Sequence, residues 1–185
     1  NMMEEKSIDS EVSLGIDQIP LRLVVGTCTA GRTNAFADNW MPILEWGSEF
    51  SAKWASLSDS QVNEGIRDPI KVYEYMNKFY VLEGNKRVSV LKYFKAVTVN
   101  AQVIRKIPKK SDDPDVKIYY EFMDFYKATK LNDIYFSKEG SFTTLMDLVG
   151  IEPGKVMDED AKKDLVSSYL NFRTAYESRG GDRFD

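Results

Sequence analysis

The sequence predicts an α+β fold, with a mixed sheet and short helices followed by an all-helical extension. Apolar residues alternate in several short runs before residue 108, a pattern typical of strands. Residues 108–114 form a polar segment with a proline at each end, which indicates a linker. Beyond it, aromatic residues recur at helical spacing. We therefore divide the chain into a domain at residues 12–108 and a helical extension at residues 115–178.

The first part of the domain is predicted to hold one strand, a glycine-bearing loop and three short helices. Loose alternation on either side of Pro20 indicates the strand, at residues 12–19 and 21–25. The loop covers residues 26–39. Serine caps and a terminal glycine delimit two of the helices. The predicted helices are residues 40–46, a helix capped by Ser48, and a further turn or two from Ser58 to Gly65.

A β-hairpin, a helix and a closing strand are predicted to complete the domain. Asp68-Pro69 interrupts the helical pattern, and the β-rich segment that follows is split by a turn at Asn77-Lys78. In the last strand the alternating apolar positions lie on one face. The predicted bounds are residues 70–75 and 79–82 for the hairpin, 85–94 for the helix, and 98–107 for the closing strand.

The extension is predicted to consist of three helices. The first covers residues 115–129, the second is capped by Ser141 and ends at Gly150, and the third is capped by Asp158 and ends at about Tyr176. In the third helix one apolar face is predicted, with Ala161, Leu165, Tyr169, Phe172 and Tyr176. We interpret the aromatic face of the first helix as core, with partner binding as the alternative. Residues 142–158 could form a helix-turn-helix, but the acidic character of residues 152–160 opposes contact with DNA phosphates.

Composition narrows the possible chemistry. The chain has no histidine and one cysteine, Cys28, which excludes an internal disulfide, most zinc sites and histidine-based acid–base catalysis. We expect no metal site of the protein's own. The first residues are acidic and lack the apolar region of a signal peptide, and no apolar run is long enough to span a membrane. We therefore expect a cytoplasmic location. The sequence from Gly180 onward contains no signal for a structured terminus, so we expect that the chain is truncated from a longer protein.

Positive charge is concentrated in one window of an otherwise acidic chain. Between Gly84 and Ser111 there are eight lysines or arginines and no carboxylate, whereas the whole chain has a net charge of −4. A cationic segment in an acidic protein is a candidate anion site.

The segment Glu83-Gly84-Asn85-Lys86-Arg87 lies at the start of that window. It follows an apolar run and precedes a helical pattern, and such a strand-to-helix turn presents backbone N–H groups to phosphates. Cations in the first turn oppose the helix dipole unless an anion is bound there. The alternative is that Gly84 only permits a tight turn and that the cations are solvated.

The loop around Cys28 is a second candidate. Gly26-Thr27-Cys28-Thr29-Ala30-Gly31-Arg32 superficially suggests a phosphate loop but lacks the Gly-Lys-Ser/Thr of the Walker pattern. A flexible loop is the favoured interpretation, and an inert thiol is favoured over a reactive one.

The order of these features resembles the ParB/sulfiredoxin superfamily, and specifically the ParB-like N-terminal domains. The matching features are Ile16-x-x-Ile19-Pro20-Leu21, Arg32, a helical stretch ending at Gly65, Asp68-Pro69-Ile70-Lys71-Val72, and Tyr80 to Arg87. The resemblance covers roughly residues 12–107.

The resemblance implies a site and a class of function. Gly84, Asn85, Lys86 and Arg87 would bind the phosphates of a nucleoside triphosphate with its Mg²⁺, with Arg32 and Asp68 beside them. The function implied is that of a bacterial transcription or partition regulator that binds a nucleotide, DNA or both. A homodimer or a protein partner would form through the helical extension.

Departures from the family pattern favour binding over catalysis. Asn85 occupies the position where partition proteins have a glutamate and where sulfiredoxin has its reactive cysteine. An alternative is a small-molecule phosphotransferase of the free serine kinase type, which shares the fold. In that case Glu83 or Glu74 would be the candidate base.

Overall fold

A computed structural model of the chain describes residues 8–29, 34–43, 47–152 and 154–181. It confirms the α+β class. The chain divides into two compact units, unit 1 (Asn1–Lys109) and unit 2 (Lys110–Asp185), so the boundary falls inside the proline-flanked segment.

Unit 1 is built on a five-stranded mixed sheet. In the described residues the strand order is β1-β5-β3-β4-β2. The two neighbouring pairs β1/β5 and β3/β4 are antiparallel, whereas β3/β5 and β2/β4 are parallel. The strands are β1 (Ile8–Pro20), β2 (Val24–Thr27), β3 (Ile70–Tyr75), β4 (Lys78–Glu83) and β5 (Thr98–Pro108).

Alternation of side chains explains why one face of the sheet forms the core. Val99, Ala101 and Val103 on β5 are buried on the same face, and they belong to one cluster with Val72 of β3 and Val81 of β4. The predicted closing strand with one apolar face is therefore confirmed. The predicted strand at residues 70–75 has the bounds of β3.

Local conformation shifts the predicted elements near the start of the domain. Residues 21–23 form a 3-10 turn instead of a strand, and β2 then extends into the predicted loop as far as Thr27. The hairpin turn consists of Met76 and Asn77, with φ of 51° and 56°, so it lies one residue earlier than predicted. Both central residues have the positive φ that a two-residue hairpin turn needs.

The helix predicted at residues 40–46 is wrong over its described part. Trp40 has φ of 67°, and the chain turns back so that Phe36 pairs with Pro42 in a β-bridge. A positive φ at Trp40 is outside the right-handed helical region, so no α-helix can begin there. Residues 44–46 lie outside the described residues.

The two helices predicted between Ser48 and Gly65 are one helix, α1 (Glu49–Asn63). The Ser48 side chain accepts a hydrogen bond from Ser51 N, which confirms the predicted cap. The helix is continuous through Ser58, so the second helix predicted to begin there is wrong. The next helix, α2 (Asn85–Tyr93), was predicted almost to the residue.

Unit 2 contains α3 (Pro114–Thr129), α4 (Ser141–Leu148) and α5 (Glu159–Ser178). Asp158 caps α5 as predicted, but the N-cap of α4 is Gly140 in a left-handed conformation, not Ser141. Of the predicted apolar face of α5, Leu165 is buried whereas Phe172 and Tyr176 are 59% and 42% exposed. In the described ranges no helix combines the length and apolar character needed to cross a membrane.

Candidate functional site

The turn between β4 and α2 requires glycine. Gly84 is the N-cap of α2 with φ of 104°, a conformation that residues with a side chain rarely adopt. A Cβ atom at this position would lie 2.6 Å from Cγ2 of Ile70. The backbone at the N-cap of α2 therefore lies directly against Ile70, the first residue of β3.

Backbone donors and positive charge meet at the start of α2. The first intrahelical bond runs from Val88 N to the carbonyl oxygen of Gly84, so the three preceding N–H groups have no acceptor within the helix. The first turn of α2 holds no acidic residue. The Lys86 ammonium lies 4.3 Å from the ring centroid of Phe50 on α1, which keeps this cation beside the turn.

A cavity of about 290 Å³ opens at this turn, and we call it the Asn85 cavity. It is lined by Thr29, Phe36, Leu82, Glu83, Gly84, Asn85 and Lys86. Asn85 is only 8% exposed, and its Oδ1 atom has no hydrogen-bond partner in the described part of the chain. A buried orphan acceptor is costly, and such groups are commonly found where a ligand or water completes the bonding.

Arg87 points away from this cavity. Its Nη1 donates to the carbonyl oxygens of Asp68 and Pro69, at 3.1 and 2.7 Å. Arg87 and Asp68 line a second cavity of about 370 Å³, the Arg87 cavity, together with residues at the end of α1. The structure therefore brings Gly84, Asn85 and Lys86 together on one side of the turn and Asp68 and Arg87 on the other.

The two carboxylates predicted as bases differ in their surroundings. Glu83 is exposed and accepts a hydrogen bond from Lys71, which lowers its pKa below the ordinary value, with a smaller contribution from Arg87. Glu74 is fully buried, forms an ion pair with Arg105, and accepts a hydrogen bond from Asn77 N. Glu74 pairs with Phe79 at the hairpin end of the sheet, far along β4 from the turn.

The cationic window does not form one surface. Arg105 is buried against Glu74, while Lys106 pairs with Glu11 and lies over the ring of Tyr73. Lys92 donates to the carbonyl oxygen of Val24, and partial burial lowers its pKa. Consecutive strand residues point to opposite faces, so cations that are adjacent in sequence are separated in space.

The loop that follows β2 reaches the site through its first residues. The Thr29 hydroxyl donates to the carbonyl oxygen of Leu82, which holds the loop beside β4. Cys28 is exposed, but its neighbours partly desolvate the thiol and raise its pKa above 9.0, with Lys106 acting in the opposite direction. This environment favours the inert thiol. Arg32 lies outside the described residues.

Several residues at the site carried no recognisable signal in the sequence. Phe36 and Phe50 pack edge to face at 5.5 Å, and Phe36 lines the Asn85 cavity. Lys71 meets Glu83 through strand register. Helical spacing indicated Phe50, and Lys71 belongs to the motif at residues 68–72. Their contacts at the site could not be predicted, because they join elements that are distant in sequence.

Fold and site together define an α+β protein with a cationic strand-to-helix turn. No protein-family model matches the sequence, and no curated protein matches it. Solved structures do match. The chain is similar to sulfiredoxin from Arabidopsis thaliana at 18% identity and a TM-score of 0.34, covering 48% of this chain and 82% of that one.

The chain is also similar to the C-terminally truncated chromosome-partitioning protein ParB from Caulobacter crescentus, in a structure complexed with CTP-γ-S. That match has 15% identity and a TM-score of 0.34, and it covers 65% of this chain and 56% of the ParB chain. Both proteins belong to the superfamily that the sequence motifs resemble. At this structural distance, function has to be argued from the chain's own residues.

Proposed function

We propose that the turn at Gly84, Asn85 and Lys86 binds the phosphate groups of a nucleotide in the Asn85 cavity. The observation that supports the proposal is that α2 begins at Gly84, so its first N–H groups have no acceptor within the helix, and that the Lys86 cation lines the same cavity. Helix N-termini with unpaired N–H groups favour anions, and an ammonium strengthens that preference. The Mg²⁺ of a bound nucleotide would be held chiefly by its phosphate oxygens and water.

A nucleotide fits this site better than duplex DNA. DNA recognition needs a continuous basic surface along the phosphate backbone, whereas three cations of the window are engaged inside the domain. The Asn85 cavity is concave and small, and the ring of Phe36 provides an apolar wall. Such a cavity suits part of a small anionic ligand.

Binding is also favoured over phosphoryl transfer. A general base needs a pKa near the working pH and a clear path to the acceptor. Glu74 is buried and paired with Arg105, so it has no path to an acceptor. The pKa of Glu83 is lowered by Lys71, which moves it further from a neutral working pH. We therefore assign the chain a nucleotide-binding regulatory function, in which protein partners of the helical extension would read the nucleotide state.

The experiment is isothermal titration of CTP, ATP, ADP and inorganic triphosphate, each with Mg²⁺, and anisotropy of a labelled duplex DNA. Lys86→Met removes the cation of the site, and Lys78→Met removes an exposed cation at the opposite end of β4. We expect Lys86→Met to weaken the best ligand by about tenfold, the loss of one charge-assisted contact, and Lys78→Met to leave it unchanged.

Two results would overturn the proposal. The first is equal affinity in the two variants, which would place the ligand elsewhere. The second is binding of DNA alone, with a steep loss of affinity as salt rises, which would assign the cations to a nucleic-acid surface.

A further inference from the structure

Unit 2 has a cavity of its own. It has a volume of about 620 Å³, and we call it the α3–α4 groove because residues of those two helices form two of its walls. Residues after α4 form the third wall, which is fixed to α3 by a hydrogen bond from Met157 N to the carbonyl oxygen of Ala128.

The floor of the groove is apolar. It consists of Ala128, Met146, Ile151 and Val156, of which Ala128 and Ile151 are buried in the unit. Val156 is 72% exposed although it is β-branched and apolar. Val156 therefore extends the apolar floor to the exposed edge of the groove, and a contiguous apolar patch that reaches solvent is typical of a surface that binds a partner.

The rim of the groove carries one uncompensated charge. Lys127 is paired with Asp124 at 2.8 Å, and Lys155 is paired with Glu152 at 2.6 Å. Asp147, also on the rim, forms no ion pair with any described residue. Unit 2 as a whole contains 16 acidic and 11 basic residues, a net charge of −5.

We propose that the α3–α4 groove is the docking site for a basic amphipathic helix of a partner protein. An apolar stripe would cover Met146 and Val156, and a lysine or arginine would pair with Asp147. The net negative charge of unit 2 favours a basic partner over the other possible occupants. It repels nucleic acid and anionic lipid, and it opposes a second copy of the same acidic unit.

The test uses the full chain and a fluorescent helical peptide of leucine and lysine, about 18 residues or five turns long. A leucine–glutamate peptide with the same leucine spacing is the charge control. Val156→Ser and Met146→Ser alter the floor, and Asp147→Lys alters the rim. Leu148→Ser is the matched control, because Leu148 is 81% exposed but does not line the groove. Circular dichroism checks that each variant is folded.

We expect the leucine–lysine peptide to bind, and Val156→Ser and Met146→Ser each to weaken it about threefold to tenfold. Asp147→Lys should weaken it and reduce its dependence on salt, while Leu148→Ser should have no effect. Since Val156 is exposed, its substitution tests the groove even if Met146→Ser fails to fold.

Four outcomes would overturn the proposal. They are equal binding of the two peptides, equal losses in Val156→Ser and Leu148→Ser, no binding of the basic peptide up to about 1 mM, and self-association or binding to phosphatidylserine vesicles that Val156→Ser abolishes. The last result would assign the groove to a second copy or to a membrane. Nucleotide binding by unit 1 is measured separately, so failure of either proposal leaves the other intact.

Discussion

Gly84 and Ile70 are in contact in a way that leaves no room for a side chain at the glycine. A Cβ atom on Gly84 would lie 2.6 Å from Cγ2 and 3.0 Å from Cβ of Ile70. Ile70 is fully buried at the start of β3, so it cannot move aside into solvent. The position of the turn between β4 and α2 therefore depends on the absence of one methyl group.

Gly84→Ala should lower the free energy of unfolding by about 2–4 kcal/mol, because left-handed strain and overpacking act together. Gly65→Ala is the matched control. Gly65 also has positive φ, 75°, but a Cβ atom there would meet nothing within 4 Å. It should cost only about 1 kcal/mol. Urea denaturation of both variants measures the difference, and equal losses would contradict the role of Ile70.

Arg87 should contribute to the stability of unit 1. Its guanidinium joins two consecutive carbonyl oxygens, those of Asp68 and Pro69, to the first turn of α2. Arg87→Ala should therefore cost about 1.5–3 kcal/mol in urea denaturation, the range for hydrogen bonds to a charged group.

Arg67→Ala is the control for this prediction, because Arg67 lines the same cavity but is exposed. Arg87→Lys should recover only part of the loss, since an ammonium is a point charge without the planar fork of a guanidinium. Wild-type stability of Arg87→Ala, together with lost nucleotide affinity, would contradict this bracing role and show that Arg87 acts on the ligand alone.

Sequence patterns predicted those parts of the fold that depend on neighbouring residues. The alternation in β3 and β5 and the cap at Ser48 are local signals, and they were found in place. The cationic window failed as a surface because strand pleating sends Arg105 and Lys106 to opposite faces. The split of Arg87 from Asn85 across the turn was also unpredictable, since it depends on carbonyl groups 18 and 19 residues away.

Loss of either partner of the buried ion pair between Glu74 and Arg105 should destabilise the fold strongly. Removing one partner leaves an uncompensated buried charge, so Glu74→Leu or Arg105→Met alone should cost about 3–5 kcal/mol. The double variant Glu74→Leu/Arg105→Met should be more stable than either single variant, because no lone charge remains. Thermal unfolding of the four proteins provides the cycle. A double variant as unstable as the sum of the two losses would indicate that each side chain acts independently.

Cys28 should react slowly with alkylating reagents at neutral pH. Desolvation keeps its pKa above 9.0, so the thiolate fraction is smaller than that of a free thiol. Lys106 lowers this pKa, so Lys106→Met should raise it further, as measured by the pH dependence of iodoacetamide alkylation. Lys53→Met on α1 is the control and should leave the profile unchanged.

The raised pKa of Cys28 also predicts the direction in which the free energy of unfolding changes with pH. Above pH 9.0 the unfolded thiol loses its proton before the folded thiol does, so the folded state binds more protons. The contribution of Cys28 to the free energy of unfolding therefore falls as pH rises from 9.0 through the folded pKa. Urea denaturation across this range should show the decline in the wild type and a weaker decline in Cys28→Ser. Parallel curves would contradict the raised pKa.

Helix α1 should undock more readily than the rest of unit 1. It has no fully buried residue, and Trp54 attaches it to α2 through a hydrogen bond from Nε1 to the Ser89 hydroxyl at 3.0 Å and an edge-to-face contact with Tyr93. Trp54→Ala removes both contacts, so amide exchange in α1 should accelerate while protection in β3 and β5 persists.

The matched control for α1 is Val62→Ala, since Val62 lies on the same helix but is 68% exposed. It should leave amide exchange in α1 almost unchanged, because few contacts are lost. Ser89→Ala should reproduce only the hydrogen-bond part of the Trp54 effect, about 1 kcal/mol. If Trp54→Ala instead accelerated exchange equally in α1 and the central strands, α1 would be part of one cooperative unit with the sheet. In that case Phe50 on α1 could not move away from Lys86 on α2 without global unfolding.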